Sequence, residues 1–183
     1  MSEDTLVEKV RALLAKRLPA SLIVRKGAPL LYQIRLSNAL SITLDPAKPT
    51  RGQSAFQTDL CVFQKRPKGL ELPRVVLEFK TKLSTHDVLT YSTKARRHKQ
   101  IYPFLRYGLV IARDASVPRR FFFHNEGLDF CVALGGMTRA GQVHTLLTLV
   151  KAEAMISRRL ERIALGEDKI SLYRTVIRPK WAV

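Results

Sequence analysis

Two short apolar runs, Phe56–Phe63 and Pro73–Lys80, constrain this chain most. Both are rich in the β-branched and aromatic residues that favour strands, over a length that suits a strand. The basic segment between them, Gln64–Leu72, holds Pro67 and Gly69 and reads as an open hairpin connector. Adjacent antiparallel pairing is the simplest topology. Each run also carries acid among its apolar residues: Asp59 lies inside the first, and the second ends Glu78-Phe79-Lys80. Residues two apart on a strand share a face, so Glu78 and Lys80 project together while Leu77 and Phe79 enter a core on the other side. Asp59 can reach the same side from the neighbouring strand. Two carboxylates converging at the end of a buried strand pair repel strongly in a low dielectric unless a divalent cation or a cationic side chain neutralises them. Hard oxygen donors with open positions suit Mg²⁺ or Mn²⁺, which keep waters and take up substrate phosphate oxygens. The competing explanation is a strand that begins at a turn and a surface Glu78–Lys80 ion pair. An E-x-K tripeptide alone would not exclude it; its conjunction with Asp59 on a second apolar run weighs against it.

Charge narrows the partner. Thirty-two Lys and Arg against 15 Asp and Glu give a net charge of +17 and a pI near 10.5 on 183 residues. That is the electrostatic footprint of a polyanion partner, with nucleic acid ahead of an anionic membrane. Charge supports binding and says nothing of catalysis. With 46% hydrophobic residues the chain reads as one domain spanning 1–183, able to bury a core without staples. Cys61 and Cys131 lie in apolar runs without metal-ligand spacing, which implies reduced core thiols and an intracellular setting. Met1–Thr5 is acidic, unlike the start of a signal peptide, and no stretch reaches the roughly 18 apolar residues of a membrane span. The expectation is a soluble cytoplasmic protein with no membrane partner; a homodimer stays open.

Along the chain, a helix is expected from about Asp4 to Leu18, with Leu6, Val10, Leu13, Leu14 and Leu18 on one face. Strand-like runs follow at Leu30–Leu36 and Ala39–Leu44, then a loop at Asp45–Gln53. After Lys80, Ser84 or Thr85 can cap a helix running to about Ile101. This helix carries Lys94, Arg96, Arg97, His98, Lys99 and Gln100, the densest basic patch in the sequence. With Lys82 these are the candidate nucleic-acid contacts, against the alternative of a solvated cationic face. Tyr107–Ala112 reads as a central buried strand closing a βαβ crossover. Arg119–Phe123 and Leu128–Leu134 around His124–Gly127 read as a hairpin. Its three Phe residues are expected to fill core on both faces, with base stacking as the lesser option. A helix from Val143 to Leu165 stops at Gly166; within it Glu153 is buried against an arginine, marks a dimer contact or is half-exposed. A last strand at Lys169–Ile177 and a basic tail at Arg178–Trp181 complete the expectation.

The carboxylate on one strand, the E-x-K on the next and the basic helix after it resemble the PD-(D/E)XK nucleases, the restriction-endonuclease-like superfamily. The first aspartate of that motif matches Asp59, its second carboxylate Glu78 and its lysine Lys80; the proline that often precedes the aspartate is here Thr58. The resemblance covers about the first two-thirds of the chain. It implies an α/β restriction-endonuclease-like core, a central mixed sheet flanked by helices in the order αβββαβ, here followed by the hairpin and last helix. It also implies an Mg²⁺-dependent endonuclease acting on DNA, most simply double-stranded. Asp59, Glu78 and Lys80 would be catalytic, and Asp59, Glu78 and the Phe79 carbonyl would hold the metal. Some members add a carboxylate from the first helix, for which Glu3 and Glu8 are candidates. The alternative is a nucleic-acid-binding module that keeps the fold without the chemistry.

Overall fold

Ser2 caps the first helix by accepting the Thr5 amide, so α1 spans Glu3–Arg17 and ends before Pro19. The computed structural model describes residues 2–52 and 54–173. After α1 come β1 (Leu22–Lys26), β2 (Pro29–Leu31), β3 (Ala55–Gln57), β4 (Leu60–Lys65) and β5 (Glu71–Lys80). Then follow α2 (Thr85–Ile101), β6 (Arg106–Ile111), α3 (Arg119–His124), β7 (Phe130–Ala133) and α4 (Arg139–Ala164). Five strands form one mixed sheet in the order β1-β4-β5-β6-β7, while β2 and β3 pair separately. The pairs β1–β4 and β4–β5 are antiparallel; β5–β6 and β6–β7 are parallel. The architecture is α/β, with a mixed sheet flanked by helices on both faces.

Strand alternation builds the two cores. Val75, Leu77 and Phe79 of β5 face α1 and α4, packing with Val7, Val10, Leu14, Leu146, Val150 and Ala154. Val76 on the other face joins Tyr107, Leu109 and Ile111 of β6 against Val88 and Ala95 of α2 and Phe121 of α3. The central strands are buried on both faces, as their near-continuous apolar sequence requires. Glu78 and Lys80 fall on the α2 side by the same alternation. α2 begins with a capping box in which the Ser84 hydroxyl and the Asp87 carboxylate each satisfy the other's backbone amide.

Several expectations need correction. Arg119–Phe123 is helical rather than the first strand of a hairpin, and β7 runs parallel to β6. A parallel neighbour needs a crossover, and α3 is part of it, so the β propensity of three Phe residues is overridden by topology. Only Phe121 of the three is buried. Of Leu30–Leu36 only the start is strand, and Ala39–Leu44 is irregular, joined to it by a lone bridge between Leu36 and Ile42. Among the described residues that pair has no third strand to bury it, and Ile34, Leu36, Leu40 and Ile42 stay exposed. β1 lies in a segment for which no element was expected. α4 starts at Arg139, where Thr138 caps it by accepting the Gly141 amide, rather than at Val143. Lys169–Tyr173 is not strand; the remainder of that expected strand and the basic tail lie outside the described residues. Glu153 is 8% exposed and accepts from Arg106 Nε at 2.6 Å, the buried pairing among its options. Among the described residues no helix is long and apolar enough to cross a membrane.

Candidate functional site

Asp59 immediately precedes β4 and stands opposite Glu78 of β5, one step beyond the Leu60–Leu77 pair. The two residues interlock: Asp59 Oδ2 accepts from the Phe79 amide at 2.8 Å, and Glu78 Oε2 accepts from the Asp59 amide at 3.2 Å. Each carboxylate thereby fixes the backbone of the other segment. The chain just before Asp59 is pinned as well. Thr58 donates its hydroxyl (2.9 Å) and its amide (3.0 Å) to the Ala28 carbonyl, and Gly27 donates its amide to the Asp59 carbonyl at 3.1 Å. A proline at position 58 would forfeit both Thr58 bonds. Gly27 has φ +66, and an added Cβ would lie 2.7 Å from Gln57 Nε2, so the turn that receives Thr58 suits glycine.

Glu78 is 1% exposed, and its Oε1 accepts from Lys94 Nζ of α2 at 2.9 Å and from the Tyr107 hydroxyl of β6. Burial pushes the Glu78 carboxyl above its ordinary pKa; Lys94 opposes that and Asp59 adds to it. Lys94 also donates to the Gln57 carbonyl at 3.2 Å and sits 5.1 Å from the centre of the Tyr91 ring. Lys80 Nζ lies over the same ring at 5.6 Å and donates to Glu3 Oε1 in the first turn of α1 at 3.2 Å. Burial pulls the Lys80 ammonium down, but Tyr91 and Glu3 together outweigh it and hold its pKa above that of a free lysine. Tyr91 is itself pushed up to about 12, chiefly by burial. Lys80 is therefore a fixed positive charge at neutral pH.

The structure thus brings Asp59 and Glu78 together, with Lys80 next on the same strand face and its ammonium on Glu3 and Tyr91. Phe79 enters through its amide, while its side chain is fully buried in the α1/α4 core. Lys94, expected on a phosphate-facing edge, is instead paired with Glu78. Arg97, Gln100 and Lys82 are exposed, and Arg96 is exposed and paired with Glu126 at 2.8 Å. His98 is corrected outright. Val88, Ser92, Ala95 and His98 form the stripe of α2 that faces the sheet, so His98 is fully buried. Its Nδ1–H donates to the Leu31 carbonyl at 2.9 Å, and burial pushes its pKa down to about 4. A neutral core imidazole offers nothing to a phosphate. Lys99 is committed to Asp129 (2.7 Å) and the Gly127 carbonyl (2.6 Å). Of the two acids considered on α1, Glu3 reaches Lys80, whereas Glu8 pairs with Arg11 at 2.6 Å. Tyr107 escaped sequence reasoning because it opens a run that reads as core. Tyr91 escaped it as well, and Lys94 was legible only as part of the basic patch.

The donor set can be tested against a divalent ion. Among the described residues no group of three or more His, Cys, Asp or Glu is placed to hold a metal. An all-protein cage is therefore absent from them. Mg²⁺ commonly takes one or two carboxylates and fills its remaining positions with water and phosphate. Asp59 and Glu78 fit that smaller demand. Among the described residues Asp59 Oδ1 has no hydrogen-bond donor, while Glu78 Oε1 is already shared by Lys94 and Tyr107. A cation bound there would compete with the Lys94 ammonium. No protein-family model matches the chain, and no curated protein matches it.

Proposed function

We propose that this protein is a metal-dependent nuclease of the restriction-endonuclease-like fold that hydrolyses phosphodiester bonds, with DNA the favoured substrate. One observation carries the reading: Asp59 and Glu78 interlock across two adjacent strands, with Lys80 two residues on along the same strand face and its ammonium held by Glu3 and over the Tyr91 ring. The order α1, β1, β4, β5, α2, β6 along the main sheet also matches the αβββαβ core that the resemblance implies. Asp59 and Glu78 would hold Mg²⁺ or Mn²⁺, with the Phe79 carbonyl beside them. When bound, the ion would lower the pKa of water and draw charge from the phosphate. Lys80 acts as a positioned cation that orients the attacking water and stabilises the crowded phosphate. Tyr107 and Lys94 hold the Glu78 carboxylate in one orientation from the side of β6 and α2. Tyr91 separates the two lysines and keeps both at the rim.

A second reading, a nucleic-acid-binding module without chemistry, is favoured by the Lys94–Glu78 pair, since a protein cation already neutralises the buried acid. The test is cleavage of plasmid and single-stranded DNA across a Mg²⁺ titration by wild type, Asp59→Ala and Lys94→Met. A nuclease loses about 10³-fold in rate with Asp59→Ala while still binding DNA in Ca²⁺. Its Lys94→Met variant reaches half-maximal binding of Mn²⁺ at lower concentration, read directly from the paramagnetic signal of the free ion. No cleavage by wild type and no Mn²⁺ bound by either protein would leave the binding module.

A further inference from the structure

The helix α3 exposes what a buried strand would have hidden. Phe122 is 56% and Phe123 72% exposed, while Phe121 beneath them anchors the helix in the core with Leu83 and Val88. The Phe122 ring stands edge-on to Phe121, with centroids 5.6 Å apart and planes at 88°, so it is braced in place. The Arg119 guanidinium lies 6.0 Å from the centre of the Phe123 ring. Arg113, Arg119 and Arg120 are exposed along the same segment; between Arg113 and His124 the sole acid is Asp114, and α3 has none. The segment is rooted at the candidate site, because Ala112 donates its amide to the Lys80 carbonyl at 2.8 Å and Arg113 to the Thr81 carbonyl at 3.0 Å. Two exposed phenyl rings, one braced by Phe121 and one beside the Arg119 guanidinium, therefore follow one loop after the strand that pairs with Lys80.

We propose that Phe122 and Phe123 form a stacking platform for unpaired nucleobases, with Arg119 and Arg120 taking the adjoining phosphates, so that the substrate carries a single-stranded or frayed segment beside the scissile bond. The inference rests on the nucleic-acid reading of the site and narrows its substrate class. A paired duplex keeps its base faces stacked inside and offers a phenyl ring no partner, whereas every unpaired base has a free π face. Guanidinium groups beside the rings suit a strand in which base and phosphate alternate. A second copy of this chain is the poorer occupant: it would bring another net charge of +17 against an arginine-rich surface.

The experiment is fluorescence anisotropy in Ca²⁺ with labelled oligothymidine, labelled oligouridine and a duplex of equal length, using the full chain. The Phe122→Ala/Phe123→Ala variant removes exposed rings and should keep the wild-type melting temperature. Its Kd for both single strands should rise by about tenfold or more, with the duplex changing less than about twofold. Phe123→Trp should retain single-strand affinity and Phe123→Leu should not, which separates stacking from plain apolar contact. Equal weakening on all three probes, or unchanged single-strand binding, overturns the platform while leaving the nuclease reading intact. So does a wild type that sediments as a dimer and a double variant that sediments as a monomer. Absence of binding to any probe by wild type would overturn both.

Discussion

At the amino end of β6, Arg106 donates to Glu153 at 2.6 Å and to Asp129 at 2.8 Å, and Lys99 meets the other Asp129 oxygen at 2.7 Å. Near it Arg74, wholly buried where β4 and β5 slip register, is held by Gln64 and Glu161. At the opposite end, where β5 finishes and β4 begins, Asp59 and Glu78 each accept from the other segment's backbone amide, and Lys94 pairs with Glu78. The first end is closed: Arg74, Arg106 and Lys99 each have a carboxylate, and the arrangement fixes α4 onto the sheet. Among the described residues the second keeps an Asp59 oxygen without a hydrogen-bond donor and sets two like charges side by side, an arrangement that costs stability unless something else binds. Ligand sites in open α/β sheets gather at the carboxyl ends of parallel strands for the same topological reason.

If the two ends differ in this way, substitutions at each should change different observables. The largest expected effect is on rate: Lys80→Ala should slow cleavage by about 10²- to 10³-fold with little change in melting temperature, whereas the exposed Lys82→Ala should alter affinity alone. A rate loss with Lys82 instead would move the catalytic register. Next, Arg106→Ala leaves Glu153 buried without its partner and should cost about 3–5 kcal/mol in denaturant unfolding. Arg106→Leu combined with Glu153→Leu should recover most of it, and cleavage per folded molecule should be unchanged. If Arg106→Ala were instead tolerated and inactive, the closed end would not be merely structural.

His98 sharpens the boundary, since it shares α2 with Lys94 yet belongs to the closed interior. Its folded pKa near 4 lies below the unfolded value, so the unfolded state binds the extra proton as pH falls. Stability should therefore decline from about pH 6.5 and level off below about pH 4, by at most about 3 kcal/mol. His98→Gln should flatten that limb without introducing a new pH dependence in cleavage above pH 7. A persistent acid limb of the same size would assign it to other groups.

Much of this site was legible because its parts are local. The E-x-K spacing sets Glu78 and Lys80 on one face, the Ser84 cap starts α2 where expected, and the β4–β5 hairpin brings Asp59 across. What could not be read is long-range. Nothing near Tyr107 in the sequence says that its hydroxyl meets Glu78, and nothing in the basic patch of Lys94, Arg96, Arg97, His98, Lys99 and Gln100 says that His98 alone of these turns fully into the core. The Phe121–Phe123 run misled because strand propensity reports a fit to a pleated surface, while the parallel β6–β7 connection needs a crossover there. β1 escaped because Arg25 and Lys26 interrupt its short apolar pattern; its partner Glu71, at 2.5 Å from Arg25, is set by a strand far along the chain.

The two helical layers of the sheet also differ in when they can exist. The layer of α2 and α3 is complete in sequence once β7 has been made, so Glu78 can acquire Tyr107 and Lys94 while later residues are still being added. The other layer pairs the first helix with the last, and Val7, Val10 and Leu14 have no Leu146, Val150 or Ala154 to meet until α4 emerges. A growing chain therefore passes through a stage in which one face of the sheet is covered and the other carries α1 alone, with the apolar area that α4 will cover still open. Contacts of such long sequence separation close slowly, and that stage is when the chain is most prone to aggregate.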